Sequence, residues 1–121
     1  SADFDRAKAL EVMESMLQAH PDIKGVFCGN DAMAMGAYQA VLSAGKQKQI
    51  KVFGFDGAPD MVAKINSGEV VATGMQHPEV MAETAAKFAH DYIKGKRDFP
   101  QRIPVEVELV IKSNAKLFLK P

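Results

Sequence analysis

Three polar side chains stand where apolar runs stop: Asn30 after "VFCG", Asp56 after "VFGF" and Gln76 after "VVATGM". An amide side chain both donates and accepts hydrogen bonds, and a carboxylate accepts from two hydroxyls at once. If the three runs are neighbouring parallel strands, their ends lie about 4.8 Å apart, and the three side chains span roughly 5–10 Å. That is the breadth of a small polyol or monosaccharide. In open α/β sheets, ligands bind beyond the carboxyl ends of the strands. The set suits hydroxyl groups better than phosphate, which calls for Lys, Arg or a glycine-rich loop.

Each residue also has a purely local reading. Asn30 could be a turn former, with Asp31 as the N-cap of the next helix. Asp56, before Gly57 and ahead of Pro59, could close its strand as an Asx turn. Gln76 could be a polar strand end before the His77-Pro78 break. The recurrence of all three at equivalent positions favours a shared site.

Other constellations carry less. His20 and His77 precede prolines and read as turn residues; His90 falls on a helix, exposed or capping. None has metal-ligand spacing with Cys or carboxylates, so no metal and no cofactor are expected. There is no G-x-S-x-G elbow, P-loop or G-x-G-x-x-G, and no catalytic set that points to an enzyme. A phosphoacceptor role for Asp56 would need an acidic pair after an earlier strand, which is missing. The single cysteine, Cys28, reads as a small buried hydrophobe. The seven methionines fall mostly at helical core spacing and read as packing.

The elements that must position these residues alternate. The pattern predicts a helix over Phe4 to Ala19 with Asp3 as N-cap, its core positions at Leu10, Met13 and Leu17. Next come a strand over Lys24 to Gly29, a helix over Asp31 to Ala44 and a strand over Lys51 to Phe55. They are followed by a short helix over Pro59 to Asn66 and a strand from Val70 to Gly74 or Gln76. The long helix over Pro78 to Lys94 starts on proline and has Gly95 just past its end. A last strand runs from Val105 to Ile111. Its alternation sets Val105, Val107, Leu109 and Ile111 against Glu106, Glu108 and Val110, so one face should be wetter. The tail from Asn114 to Pro121 has no clear pattern. The first two strand cores are apolar without alternation, as for strands covered on both faces. The expected fold is therefore α/β: a partial doubly wound, flavodoxin-like, mainly parallel sheet with helices on both faces.

The 121 residues are the length of one domain, with 47% hydrophobic and 25% charged residues. The 15 basic and 15 acidic residues cancel, and no basic stripe suggests nucleic acid. Only three strands read as clearly buried, whereas doubly wound domains usually have five or more. The chain therefore reads either as a small domain or as the C-terminal part of something larger.

Three stretches carry a specific resemblance: "SADFDRAKALEVMESMLQAHPDIKGVFCGNDAMAMGAYQAVLSAGK", "KVFGFDGAPDM" and "VVATGMQHPEVMAETA". Together they resemble the C-terminal part of the type I periplasmic sugar-binding proteins of ABC transporters, the ribose-binding branch above all. The resemblance covers about Ala2 to Ser113. It implies a periplasmic-binding-protein-like lobe, with Asn30, Asp56 and Gln76 hydrogen-bonding the hydroxyls of a ribose-like monosaccharide. It also implies delivery to an ABC-type membrane permease and a periplasmic or extracytoplasmic location. The chain itself shows no secretory leader. In the family a second, N-terminal lobe closes the cleft and supplies aromatic residues that sandwich the sugar ring; the resemblance implies that these 121 residues are a single incomplete α/β domain without those parts. The helix at residues 78–95 would pack on that lobe, so its apolar face is expected to be covered by the missing lobe, by a second copy of the chain, or by refolding onto its own sheet. The alternative is the effector-binding domain of a LacI-type transcriptional regulator, which shares similar "ND" and "GFD" motifs. The short "AGKQKQI" loop and the "MQHP" and "IPVEVELVIKSN" segments favour transport.

Overall fold

A computed structural model describes residues Ser1 to Leu119; Lys120 and Pro121, part of the tail, lie outside the described residues. Helix α1 spans Arg6–Ala19, strand β1 Gly25–Phe27, helix α2 Asp31–Ser43 and strand β2 Lys51–Asp56. Helix α3 spans Pro59–Ser67, strand β3 Ala72–Met75, helix α4 Pro78–Ile93 and strand β4 Glu108–Ile111. A short 3-10 helix, Ala115–Phe118, follows in the tail that had no sequence pattern.

The sheet order is β1-β2-β3-β4. β1 pairs with β2, and β2 with β3, both in parallel. The α/β alternation expected from the sequence is therefore the fold. The chain divides into two compact units: Ser1–Met75 with the residues from Leu109 onward, and Gln76–Glu108.

In the first unit, Met13 and Leu17 of α1 are buried with Ala34, Tyr38 and Val41 of α2, Val52 of β2, and Met61, Val62 and Ile65 of α3. These are the apolar positions of amphipathic helices laid on an apolar strand. Cys28 is buried with them, as expected of a small hydrophobe.

Several boundaries differ from the sequence reading. The N-cap of α1 is Asp5, which accepts from the Lys8 amide at 2.8 Å, rather than Asp3. Asp3 and Phe4 adopt φ of 50° and 58°, outside the helical region, and Asp3 bonds Ser1 and the Lys8 ammonium instead. β1 is shorter than Lys24 to Gly29. It lies at the edge of the sheet, with Phe27 71% exposed, so it is not covered on both faces.

β4 inverts the expected faces. Val110, grouped with the glutamates, is completely buried, while Leu109 and Ile111 are exposed. With only four residues in the strand, one register choice decides every side chain. Val110 takes the inward position, in the buried core that also holds Ala115.

In the second unit, α4 begins on Pro78 and none of its side chains is buried. Val80 and Met81 are exposed, and Phe88 packs on Phe99 with ring centroids 5.3 Å apart. His77 Nε2 lies 3.6 Å from a Glu108 carboxylate oxygen. His90 is exposed in the last turn of α4. Among the described residues, no helix is long and apolar enough to cross a membrane.

Candidate functional site

β1 and β2 run in register, Phe27 opposite Phe53, and the Cys28 amide donates to the Phe53 carbonyl at 2.9 Å. Counting three residues on from each member of that pair reaches Asn30 and Asp56. The strand ends are stitched together by the residue after Asn30. Asp31 Oδ2 accepts from the amides of Gly57 at 2.9 Å and Ala58 at 2.7 Å. Both amides lie immediately beyond Asp56. The structure thus places Asn30 and Asp56 side by side at one end of the sheet, both half-buried.

Gln76, also half-buried, follows Met75, the β3 residue in register with Asp56. It is the first residue of the second unit.

Asn30 is the N-cap of α2, its Oδ1 accepting from the Met33 amide at 2.9 Å. The cap role considered for Asp31 belongs to Asn30. This fixes the side chain with its oxygen turned to the helix. The Asn30 Nδ2 reaches the Phe4 carbonyl only at 3.5 Å, the outer limit for a hydrogen bond, and remains suited to donate elsewhere.

Asp56 has φ +129°, a region that non-glycine residues rarely enter. A side chain held there costs on the order of 1–3 kcal/mol and persists only where the surroundings impose it.

The sequence marks Asp31 only as a candidate helix cap, yet the structure ties it to the turn just beyond Asp56. Asp31 is 1% exposed, and its Oδ1 accepts from the Thr73 hydroxyl of β3 at 2.7 Å; Thr73 is itself buried. Among the described residues, no buried side-chain polar atom lacks a partner. The available signal was Gly54, alone inside an apolar strand, where a glycine marks a close approach. A Cβ there would run into Asp31 Oδ1.

Burial pushes the Asp31 carboxyl above its ordinary range; the bonds from Thr73, Ala58 and Gly57 offset part of this, and the nearby Asp56 charge adds a smaller push upward. A carboxyl raised in this way stabilises the fold fully below its unfolded-state value of about 3.9. That contribution is lost as the pH rises through the folded-state value. Asp31→Asn does not titrate, and its amide can still accept from the two backbone donors and donate to Thr73. The melting-temperature advantage of the wild type over Asp31→Asn should therefore shrink between pH 4 and pH 7. A gap that widens over that range would show the carboxyl to be held low instead.

No group of three or more His, Cys, Asp or Glu among the described residues could hold a metal ion. Within the first unit the geometry offers a carboxylate and an amide, Asp56 and Asn30, at adjacent strand ends. Both are groups that can hydrogen-bond a hydroxyl.

Comparison with known proteins gives a concordant result. The family profile for the periplasmic binding protein domain matches residues 1–97. The chain is 50% identical over 97 residues to the ribose import binding protein RbsB of Bacillus subtilis, covering 80% of this chain and 31% of that protein. It is 40% identical over 109 residues to the D-allose-binding periplasmic protein of Escherichia coli, covering 90% of this chain and 35% of that protein. Among solved structures, an ABC transporter periplasmic solute binding protein from Actinobacillus succinogenes with bound D-allose superposes with a TM-score of 0.91 at 33% identity, over 97% of this chain and 41% of that one. The Caulobacter myo-inositol binding protein, bound to myo-inositol, gives a TM-score of 0.83 at 36% identity, over 93% of this chain and 39% of that one. The chain thus spans about a third of the length of the curated relatives it matches.

Proposed function

Because the chain belongs to the periplasmic binding protein domain family, we propose that it forms one side of a monosaccharide-binding cleft in a substrate-binding protein that serves an ABC-type importer. Asn30, Asp56 and Gln76 are the three hydrogen-bonding groups of that side. The observation that carries this reading is the backbone of Asp56. A turn alone would be served better by glycine at φ +129°. A carboxylate kept there at a cost in strain is consistent with a functional demand on that side chain.

In this reading Asp56 accepts from two sugar hydroxyls, Asn30 Nδ2 donates to a third oxygen, and Gln76 both donates and accepts. No covalent bond is made or broken. The ligand is a ribose-like sugar, the partner is a membrane permease, and the location is periplasmic; relatives named for ribose and D-allose support this. They favour transport over the effector-binding domain of a regulator. The unburied α4 fits a surface that a second lobe, or another copy of the chain, covers.

The test is titration calorimetry with D-ribose and D-allose on a two-lobe protein carrying this chain as its C-terminal part. Asp56→Ala removes a charged hydrogen-bond partner worth about 1.5–3 kcal/mol. Affinity should fall by roughly 10- to 150-fold. Unchanged affinity for whichever sugar binds would remove Asp56 from the site.

A further inference from the structure

Asp31 does more than its place at the start of a helix requires. Capping of α2 is already done by Asn30. Asp31 is nonetheless buried, and its two oxygens join three separate elements: the head of α2, the turn between β2 and α3, and β3. Gly54 leaves the room this carboxylate occupies. The two amides it holds are those of Gly57 and Ala58, the next two residues after the strained Asp56.

We propose that Asp31 is a positioning residue for the binding site: by gripping the amides of Gly57 and Ala58 it imposes the backbone conformation of Asp56 and so aims that carboxylate. The proposal rests on the sugar-binding reading only for what Asp56 is aimed at. A residue in the left-handed region is over-determined by its surroundings. Here the surroundings include two charge-assisted bonds directly beyond the strained residue, backed by the Thr73 hydroxyl on the other carboxylate oxygen.

The grip can be measured without any sugar, so its failure is separate from failure of the sugar-binding reading. At an ordinary backbone position alanine is more stabilising than glycine; at positive φ the order reverses. Asp56→Gly should therefore melt above Asp56→Ala in the otherwise wild-type chain. In the Asp31→Asn background, which keeps an acceptor for both amides, Asp56→Gly should still melt higher. In the Asp31→Ala background the turn is released, and the advantage of Asp56→Gly should vanish or reverse. An advantage that survives unchanged with Asp31→Ala would overturn the proposal, because the conformation would then be imposed by something else.

Should Asp31→Ala not fold, amide hydrogen exchange in the wild-type chain decides. Exchange at Gly57 and Ala58 as slow as at the paired β2 amides supports the grip. Exchange at the rate of an open loop overturns it.

Discussion

Gly36→Ala should lower the melting temperature by roughly 5 °C, although alanine is the better helix former by about 1 kcal/mol. Gly36 lies within α2, where that helix packs on α1. A Cβ at Gly36 would fall inside contact distance of the Arg6 carbonyl oxygen and 3.1 Å from Ala9 Cβ. The first of these is backbone in the opening turn of α1 and cannot rotate aside. The helices would have to separate, which would disturb Met13, Leu17, Ala37 and Val41 together. Overpacking of this kind costs about 1–3 kcal/mol and sometimes more, enough to outweigh the propensity gain. Calorimetric or circular-dichroism melting checks it. An unchanged or raised melting temperature would mean that α1 and α2 are not held at this distance.

Gly54→Ala should be more damaging still, costing 4 kcal/mol or more by the order of magnitude of its parts. The new methyl would collide with Asp31 Oδ1 and lie 3.1 Å from both Ala34 Cβ and Met61 Cε. Met61 can bend away, but the carboxylate can move only by releasing its partners. The Gly57 and Ala58 amides and the Thr73 hydroxyl would then be left without acceptors. Each buried group so stranded costs about 1–3 kcal/mol. Chemical denaturation should show a large loss of stability. The loss should be markedly smaller when Gly54→Ala is introduced into an Asp31→Ala background, where the space is vacant. Equal losses in both backgrounds would place the clash elsewhere.

Much of this arrangement was legible in the residues. The alternation of helix and strand and the parallel order follow from apolar runs bounded by Pro, Gly and Asx signals, because those signals are local. Asn30, Asp56 and Gln76 can be put forward as candidates on the same local ground: each ends an apolar run.

Asp31 was harder to see. Next to an asparagine at a helix start it looks like a cap, and its partners lie 26, 27 and 42 residues further along the chain. Such a bond leaves only an indirect trace, here the lone Gly54 and a Thr in the third strand. Strand faces were the other difficulty. Alternation in Val105 to Ile111 identifies two faces but not which one meets the core, and Val110 is the inward residue although it shares a face with Glu108. Phe27 is a similar case: a hydrophobic residue is free to stand exposed on an edge strand.

The unburied α4 has a thermodynamic consequence. A helix of 16 residues with no buried side chain draws little support from a core, and isolated helices of that length are marginal in water. Hydrogen exchange is expected to find the amides of α4 opening at lower free energy than the paired amides of β2. Two tiers of stability are the expected outcome. Helical signal lost on heating reports both tiers, whereas the burial of Tyr38, in the core between α2 and its neighbours, reports only the upper one. The melting temperatures that judge Gly36, Gly54 and Asp31 belong to that upper tier. A single two-state fit to total helicity would blend it with the fraying of α4.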